Sequence, residues 1–160
     1  MKRVDREQLG RELWAMRVSL LRLAGSIVRT SQDAEDAVSA AMVTAYQKID
    51  TLRRDEQLRP WMLTITARCC YDLMRKARRE RPVAQVPEAT EPLFTPCETL
   101  YETLLELPPH LSQVLTLYYY EGFSTAEIAA VLGVGRTAVS MRLTRGRKLL
   151  KAKLEGWHDA

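Results

Sequence analysis

Two helical patterns separated by a glycine lie between Ser124 and Leu150, and this pairing restricts the fold more than any other stretch of the chain. Ser124 and Glu127 match a capping box, in which each side chain accepts a hydrogen bond from the other residue's backbone amide. Gly133 stands where a helix commonly ends in a left-handed residue, and Gly135 or a neighbour begins the second helix. The pattern predicts a helix-turn-helix.

The second of these helices is basic on the faces that its apolar positions leave free. Val139 and Leu143 recur at helical spacing and are expected in the core, and no acidic residue lies between Arg136 and Leu154. A cationic helix of this kind suits the major groove of a DNA duplex, where side chains contact base edges and phosphates. The expected DNA contacts are Arg136, Ser140, Met141, Arg142, Thr144 and Arg145.

Two alternatives stay open on this helix. Arg142 and Arg145 suit bidentate contacts to guanine, each contributing about 1–3 kcal/mol of discrimination, but contacts to phosphate alone fit them equally well. Met141 could contact bases or pack against its own domain.

The remaining periodicities predict an all-α fold of two small helical domains on a proline-rich linker. Residues 1–81 form the first domain, 82–96 the linker and 97–160 the second domain, which contains the helix-turn-helix. Four prolines forbid a continuous helix in the linker, at Pro82, Pro87, Pro92 and Pro96. The other helices are expected over Leu9–Val28, Ser31–Ile49, Pro60–Arg79, Cys97–Leu105 and His110–Tyr120.

The helix expected from Pro60 carries a second basic block. Cations bind phosphates, while aromatic and hydroxyl groups meet exposed bases. The cations from Arg75 to Arg81 are too dense for an ordinary solvated face, which favours nucleic acid, whereas Trp61 taken alone favours the core. The two basic blocks, 53–81 and 136–154, flank a segment without Lys or Arg and suggest two separate contacts with a polyanion.

Several functional classes find no support in the chain. Its three cysteines include an adjacent pair, Cys69 and Cys70, and its two histidines lie far from them, so neither a zinc site nor a disulfide framework is expected. No catalytic constellation is visible, so we expect no enzyme, cofactor or small-molecule substrate. Residues 1–10 are polar and no apolar run approaches the ~20 residues that span a bilayer, which predicts a cytoplasmic protein without membrane insertion.

Four segments in this order resemble the extracytoplasmic-function type of the bacterial sigma-70 family. They are SQDAEDAVSAAMVTAYQKI, LRPWMLTITARCCYDLMRKARR, ELPPHLSQVLTLYYYEGFSTAEIAAVLGV and TAVSMRLTRGRKLLK. The resemblance covers about residues 9–154 and implies a subunit that directs RNA polymerase to promoters through their −10 and −35 elements. It implies as partners promoter DNA, an anti-sigma factor, and the β′ clamp helices and β flap of core polymerase.

The resemblance also implies roles for individual positions. It assigns polymerase binding to Asp33, Glu35, Asp36, Ser39 and Met42. It assigns −10 recognition to a loop that captures a base and to the helix that melts the duplex. The loop residues are Arg53, Arg54 and Asp55, and the helix residues are Trp61, Arg68, Cys69, Arg75 and Lys76. The helix 136–148 matches the −35 reader. Apart from the resemblance, three acidic residues lie at the start of a helix, where the helix dipole favours negative charge: Asp33, Glu35 and Asp36. We expect these side chains to be solvated rather than to bind a metal.

The chain departs from the family pattern at three places, and two alternative functions stay open. Ser39 and Ala40 stand where the family often has Gln and Glu, Cys69 where an Asn is common, and Thr137 with Ala138 where a Gly-Thr pair often occurs. One alternative is a stand-alone helix-turn-helix regulator, which would have no use for a strand-melting helix. The other is a degenerate sigma homologue that binds polymerase without initiating.

Overall fold

The computed structural model describes residues 5–52, 57–80 and 99–158, and all regular structure within these ranges is helical. The predicted all-α class is therefore confirmed. A 3₁₀ turn, Ile49–Thr51, follows the second helix. The helices are α1 Arg6–Val28, α2 Ser31–Lys48, α3 Leu58–Glu80, α4 Thr99–Leu105, α5 Pro109–Tyr119, α6 Thr125–Leu132 and α7 Arg136–His158. The predicted linker 82–96 and the proposed domain boundaries lie outside the described residues.

Capping side chains determine where the first two helices begin. Asp5 Oδ1 accepts a hydrogen bond from the amide of Gln8 at 2.6 Å, so α1 begins at Arg6 and the predicted start at Leu9 is wrong. Thr30 Oγ1 accepts from the amide of Asp33 at 3.2 Å and caps α2, which begins at Ser31. In both cases a short polar side chain satisfies an amide that has no partner within the helix.

Prolines begin or lie near the start of two further helices. Pro60 lies in the first turn of α3, where its missing amide costs no helical hydrogen bond, but α3 already begins at Leu58. Pro109 is the first residue of α5, one position before the predicted start at His110. Both starts were predicted one or two residues late.

The helix-turn-helix has the geometry that the sequence predicts. The Ser124 hydroxyl accepts from the Glu127 amide and the Glu127 carboxylate accepts from the Ser124 amide, each at 3.2 Å. Gly133 ends α6 with φ 68°, a left-handed conformation that costs a glycine little. The next helix, α7, begins at Arg136.

The first three helices pack together around small and large apolar side chains. From α2 the core receives mostly alanine, with Ala34, Ala37, Ala41 and Ala45 fully buried. Leucines of α1 and the Met62–Leu63 pair of α3 fill the space that these small residues leave. The alternation of small and large residues lets the helices approach closely at the packing density of a protein interior.

In the second half, α5 is the central helix and α7 crosses it at a glycine. Leu115 of α5 is fully buried, and a Cβ placed on Gly146 of α7 would lie 2.8 Å from its Cδ1 atom. Gly146 therefore permits a close crossing between the two helices. None of the described helices is both long and apolar enough to cross a membrane.

We expect Gly146→Val to lower the free energy of unfolding by about 2 kcal/mol, because the added methyl groups overlap a buried leucine. Urea unfolding followed by circular dichroism measures this change. Gly156→Val is the matched control, since Gly156 lies in the same helix with no atom within 4 Å of its would-be Cβ. Equal destabilisation by both substitutions would contradict a close crossing at Gly146.

The two helical groups, α1–α3 and α4–α7, also pack against each other and share one continuous core. This contact joins α1 to α5 and α3 to α6. Since the sequence predicts two domains on a tether, this packing is a property that only the tertiary structure reveals.

Candidate nucleic-acid interface

The outward face of α7 is a stripe of exposed side chains opposite its buried residues. Val139, Leu143, Gly146 and Leu150 face the core. Along the opposite side, at helical spacing, α7 exposes Thr137, Met141, Thr144 and Lys148. Ser140 and Arg145 are also exposed and border this stripe. The stripe combines hydroxyl, thioether and cationic groups, which suit base edges and phosphates in a major groove.

Individual residues of the predicted −35 set differ in how available they are. Met141 is 52% exposed, so the alternative that it packs on its own domain is wrong. The Thr144 hydroxyl donates to the carbonyl of Ser140 at 3.0 Å, which leaves it only as an acceptor in this arrangement. Arg136 is exposed at the first position of the helix. Arg142, by contrast, is half-buried.

Thr137 and Lys148 are exposed on the outward stripe but absent from the predicted set. Helical spacing from Met141 and Thr144 could have found them, because positions three or four apart share a face. Arg147 lies differently, since its guanidinium stacks over the ring of Tyr118, 4.6 Å from the centroid. It is therefore engaged by its own domain.

On α3 the predicted −10 residues divide between two faces. Trp61, Arg68 and Arg75 are separated by seven residues each and follow one stripe, on which both arginines are exposed. Trp61 is half-buried and packs against the core, and Arg75 pairs with Asp72 one turn away. Arg53, Arg54 and Asp55 lie outside the described residues.

Cys69 and Lys76 lie on another side of α3, which at Cys69 faces α2. Burial raises the pKa of Cys69, and the nearby charge of Asp72 raises it further, while Thr44 and Lys48 of α2 lower it. Burial together with Cys69 raises the pKa of Cys70 to about 12. Both thiols are thus neutral at physiological pH and are poor nucleophiles. The described residues contain no group of three or more His, Cys, Asp or Glu placed to hold a metal ion.

The predicted polymerase-binding residues of α2 are exposed in part. Glu35, Asp36 and Ser39 face solvent, and the Asp36 carboxylate accepts a hydrogen bond from Gln32 at 3.0 Å. Asp33 is half-buried in the first turn, and Met42 is half-buried against the core. Glu35, Asp36 and Ser39 are therefore accessible to a binding partner.

Glu35, Asp36 and Ser39 define the outer face of α2, and exposed apolar side chains extend this face. Val43 is 58% exposed and Tyr46 is 38% exposed. The Tyr46 side chain contacts α1, since its hydroxyl lies 2.7 Å from a Cβ placed on Gly10. Trp14 lies one turn further along α1 and is 72% exposed. None of the three was predicted, although helical spacing places Val43 and Trp14 opposite the core positions of their helices and could have found them.

Two family descriptions match the chain in two consecutive segments. Residues 15–80 match Sigma-70 region 2, and residues 97–150 match Sigma-70, region 4. The RNA polymerase sigma factor SigV of Bacillus subtilis is 29% identical over 138 residues, which are 83% of this chain and 82% of SigV. The ECF RNA polymerase sigma factor SigM of Mycobacterium tuberculosis is 31% identical over 143 residues, 86% of this chain and 72% of SigM.

The chain belongs to the extracytoplasmic-function sigma factors of the sigma-70 family. In sigma-factor terms, α1–α3 carry region 2 and α4–α7 carry region 4, including the helix-turn-helix. The fold agrees with a solved sigma factor, RpoE of Bartonella quintana in complex with the anti-sigma factor NepR. That structure has a TM-score of 0.74 and 24% identity, and the match covers 91% of this chain and 96% of RpoE.

Proposed function

We propose that this sigma factor binds core RNA polymerase through α2, separates and reads the −10 element with α3, and reads the −35 element with α7. The observation that carries the proposal is the presence of two basic helices with different surroundings. A stripe with Trp61, Arg68 and Arg75 runs along α3, and a separate stripe runs along the second helix of the helix-turn-helix. A regulator that only reads duplex DNA needs the second stripe alone.

The chemistry of each stripe suits its task. Opening a duplex costs about 1.4 kcal/mol per stacked step, so a melting surface needs cations for the separated backbone and an aromatic platform for unstacked bases. Arg68, Arg75 and Trp61 supply these groups. Reading an intact duplex needs a helix that enters the major groove with polar tips, as Thr144 and Arg145 provide on α7.

The outer face of α2 is the proposed contact with polymerase. It combines the carboxylates of Glu35 and Asp36 with the apolar surface of Val43. Protein–protein interfaces commonly have an apolar centre, and the charged groups around it fix the orientation of the two partners. We assign this face to the β′ clamp helices and the α4–α7 group to the β flap. The protein acts in the cytoplasm as a subunit without a reaction of its own, and a protein of the anti-sigma type is its proposed inhibitor.

Co-elution with bacterial core RNA polymerase and run-off transcription from genomic promoter fragments test this function together. We expect the protein to co-elute and to produce transcripts that are absent with core polymerase alone. Aligned start sites then give the promoter sequence. Co-elution without transcripts would favour the degenerate homologue. Duplex binding without co-elution would favour the stand-alone regulator.

We expect Val43→Lys to weaken polymerase binding about tenfold, because the lysine charge would be desolvated at the centre of the proposed contact. Fluorescence titration of labelled protein with core polymerase measures the effect. Ala15→Lys adds the same charge at another exposed helical position and should leave affinity unchanged. If both variants bind like the unmodified protein, the polymerase contact does not reach Val43.

A further inference from the structure

The outward stripe of α7 carries one large apolar side chain among polar and cationic ones. Met141 is 52% exposed on this stripe, and Thr137 and Thr144 lie one turn before and one turn after it. Leu149 is also exposed on the described part of α7, but it lies about 12 Å further along the helix axis and off the stripe. Met141 is therefore the large apolar group that the stripe offers to a partner.

The position of Met141 along α7 is that of a residue that reaches base edges. A recognition helix contacts bases mainly with residues near its N-terminus, and Met141 lies within the first two turns of α7, which begins at Arg136. Helical geometry places Met141 opposite Val139 and Leu143, which are buried in the domain. A duplex that holds α7 in its major groove therefore receives the Met141 side chain.

Thymine is the base whose major-groove edge carries an apolar substituent, the C5-methyl group. Guanine presents two acceptors there, adenine an acceptor and a donor, and cytosine a donor. A thioether is only a weak acceptor, so Met141 would displace water from these polar groups without replacing its hydrogen bonds, which costs free energy. Against a thymine methyl, the same flexible side chain removes apolar surface of both partners from water.

The neighbouring groups of the stripe suit other base edges. The Thr144 hydroxyl donates to the carbonyl of Ser140 at 3.0 Å, so in this arrangement it can only accept, and adenine and cytosine carry the amino groups that donate. Arg145 is suited to guanine. Thr137 and Thr144 each carry a methyl group, but their short side chains end closer to the helix than the thioether of Met141. The longer reach of Met141 makes it the contact for thymine.

We propose that Met141 selects thymine at one position of the −35 element by burying the thymine C5-methyl group against its thioether side chain. The proposal rests on the function given above, in which α7 reads the −35 duplex, and it adds a base that this helix requires. Met141 is thus a specificity-determining residue. Burial of one methyl group corresponds to about fourfold in affinity, which sets the size of the expected effect.

Selection from a pool of duplexes randomised over the −35 region identifies the sites that the full chain prefers, both alone and bound to core polymerase. Each thymidine of the preferred duplex is then replaced singly by deoxyuridine, which lacks only the C5-methyl group. We expect one of these replacements to weaken binding by the unmodified protein about fourfold. With a C·G pair at that position, 5-methylcytosine should bind about fourfold tighter than cytosine, because it restores the methyl group.

Substitutions at Met141 assign the methyl effect to its side chain. Met141→Ala should abolish the difference between thymidine and deoxyuridine, while Met141→Leu, which keeps an apolar side chain of similar volume, should retain it. Thr137→Ser removes a methyl group from the same stripe and keeps the hydroxyl, and it should leave the difference unchanged. Circular dichroism melting should show all three variants to be folded, since Met141 and Thr137 are exposed.

Three results would overturn the thymine contact. The selected site contains no thymine that responds to loss of its methyl group, the response survives Met141→Ala, or Thr137→Ser removes it.

The same experiments separate this contact from the sigma-factor function. If the full chain selects a site whose methyl dependence requires Met141, but core polymerase neither binds nor initiates, the sigma-factor function fails and the thymine contact stands. Transcripts that require polymerase but show no methyl effect uphold the function and overturn the contact. A pool that yields no preferred duplex, with or without polymerase, overturns both.

Discussion

Replacing Asp36 with arginine is expected to weaken the binding of core RNA polymerase by about tenfold to a hundredfold. Asp36 is exposed on the outer face of α2, and its carboxylate accepts a hydrogen bond from Gln32 of the same helix. Reversing the sign of a charge at an interface replaces an attraction by a repulsion, and a loss of tenfold to a hundredfold corresponds to about 1.4–2.8 kcal/mol. Fluorescence anisotropy with labelled protein and unlabelled core polymerase gives the dissociation constant.

Binding of the full chain to a −35 duplex provides the internal check on Asp36→Arg. That affinity should stay within twofold, because Asp36 lies on α2 and the −35 reader is α7. Glu12→Arg makes the same change of charge at an exposed position of α1 and should bind polymerase normally. Parallel loss of polymerase and duplex binding would point to misfolding rather than to a lost contact.

Arg145→Ala is expected to lower affinity for promoter duplex by about 1–3 kcal/mol and to relax sequence preference at one −35 position. Arg145 is exposed beside the outward stripe of α7, next to the exposed Thr144. A bidentate contact to guanine combines affinity with specificity, so the loss should be largest for the preferred base. Titration of a set of duplexes, each changed at one position, measures both effects.

Arg147→Ala is the matched control for Arg145→Ala, since the two arginines are two residues apart on the same helix. The Arg147 guanidinium stacks on Tyr118 within its own domain, so its loss should leave sequence preference unchanged. If Arg145→Ala weakens binding to every duplex equally, Arg145 contacts phosphate. The slope of the logarithm of the binding constant against the logarithm of salt concentration should then decrease in magnitude by about one.

The local elements of the fold could be predicted because their signals are local. A capping box at Ser124, a left-handed glycine at Gly133 and a threonine cap at Thr30 are each decided within one turn of helix. The errors were also local. Hydrophobic spacing predicts a start of α1 at Leu9 because it marks the buried face of a helix, whereas the polar cap Asp5 sets the first helical residue at Arg6.

The candidate sites were predictable where charge decides exposure. Asp36, Arg68 and Arg145 are exposed because ionised groups remain in water unless they are paired. Helical spacing places Trp14 and Val43 opposite the core positions of α1 and α2, but spacing alone does not tell whether another helix covers that side. Arg142 shows the reverse case, a cation that is half-buried because another helix lies beside it.

By itself the sequence determined the helical class, the helix-turn-helix and the two basic helices, because caps, turns and charge patterns act over a few residues. The tertiary structure alone decided that α1–α3 and α4–α7 share one core and that Arg29 reaches carbonyls more than seventy positions away along the chain. Such contacts depend on the summed packing of faces from distant helices. No periodicity within a single helix encodes which distant face will cover it.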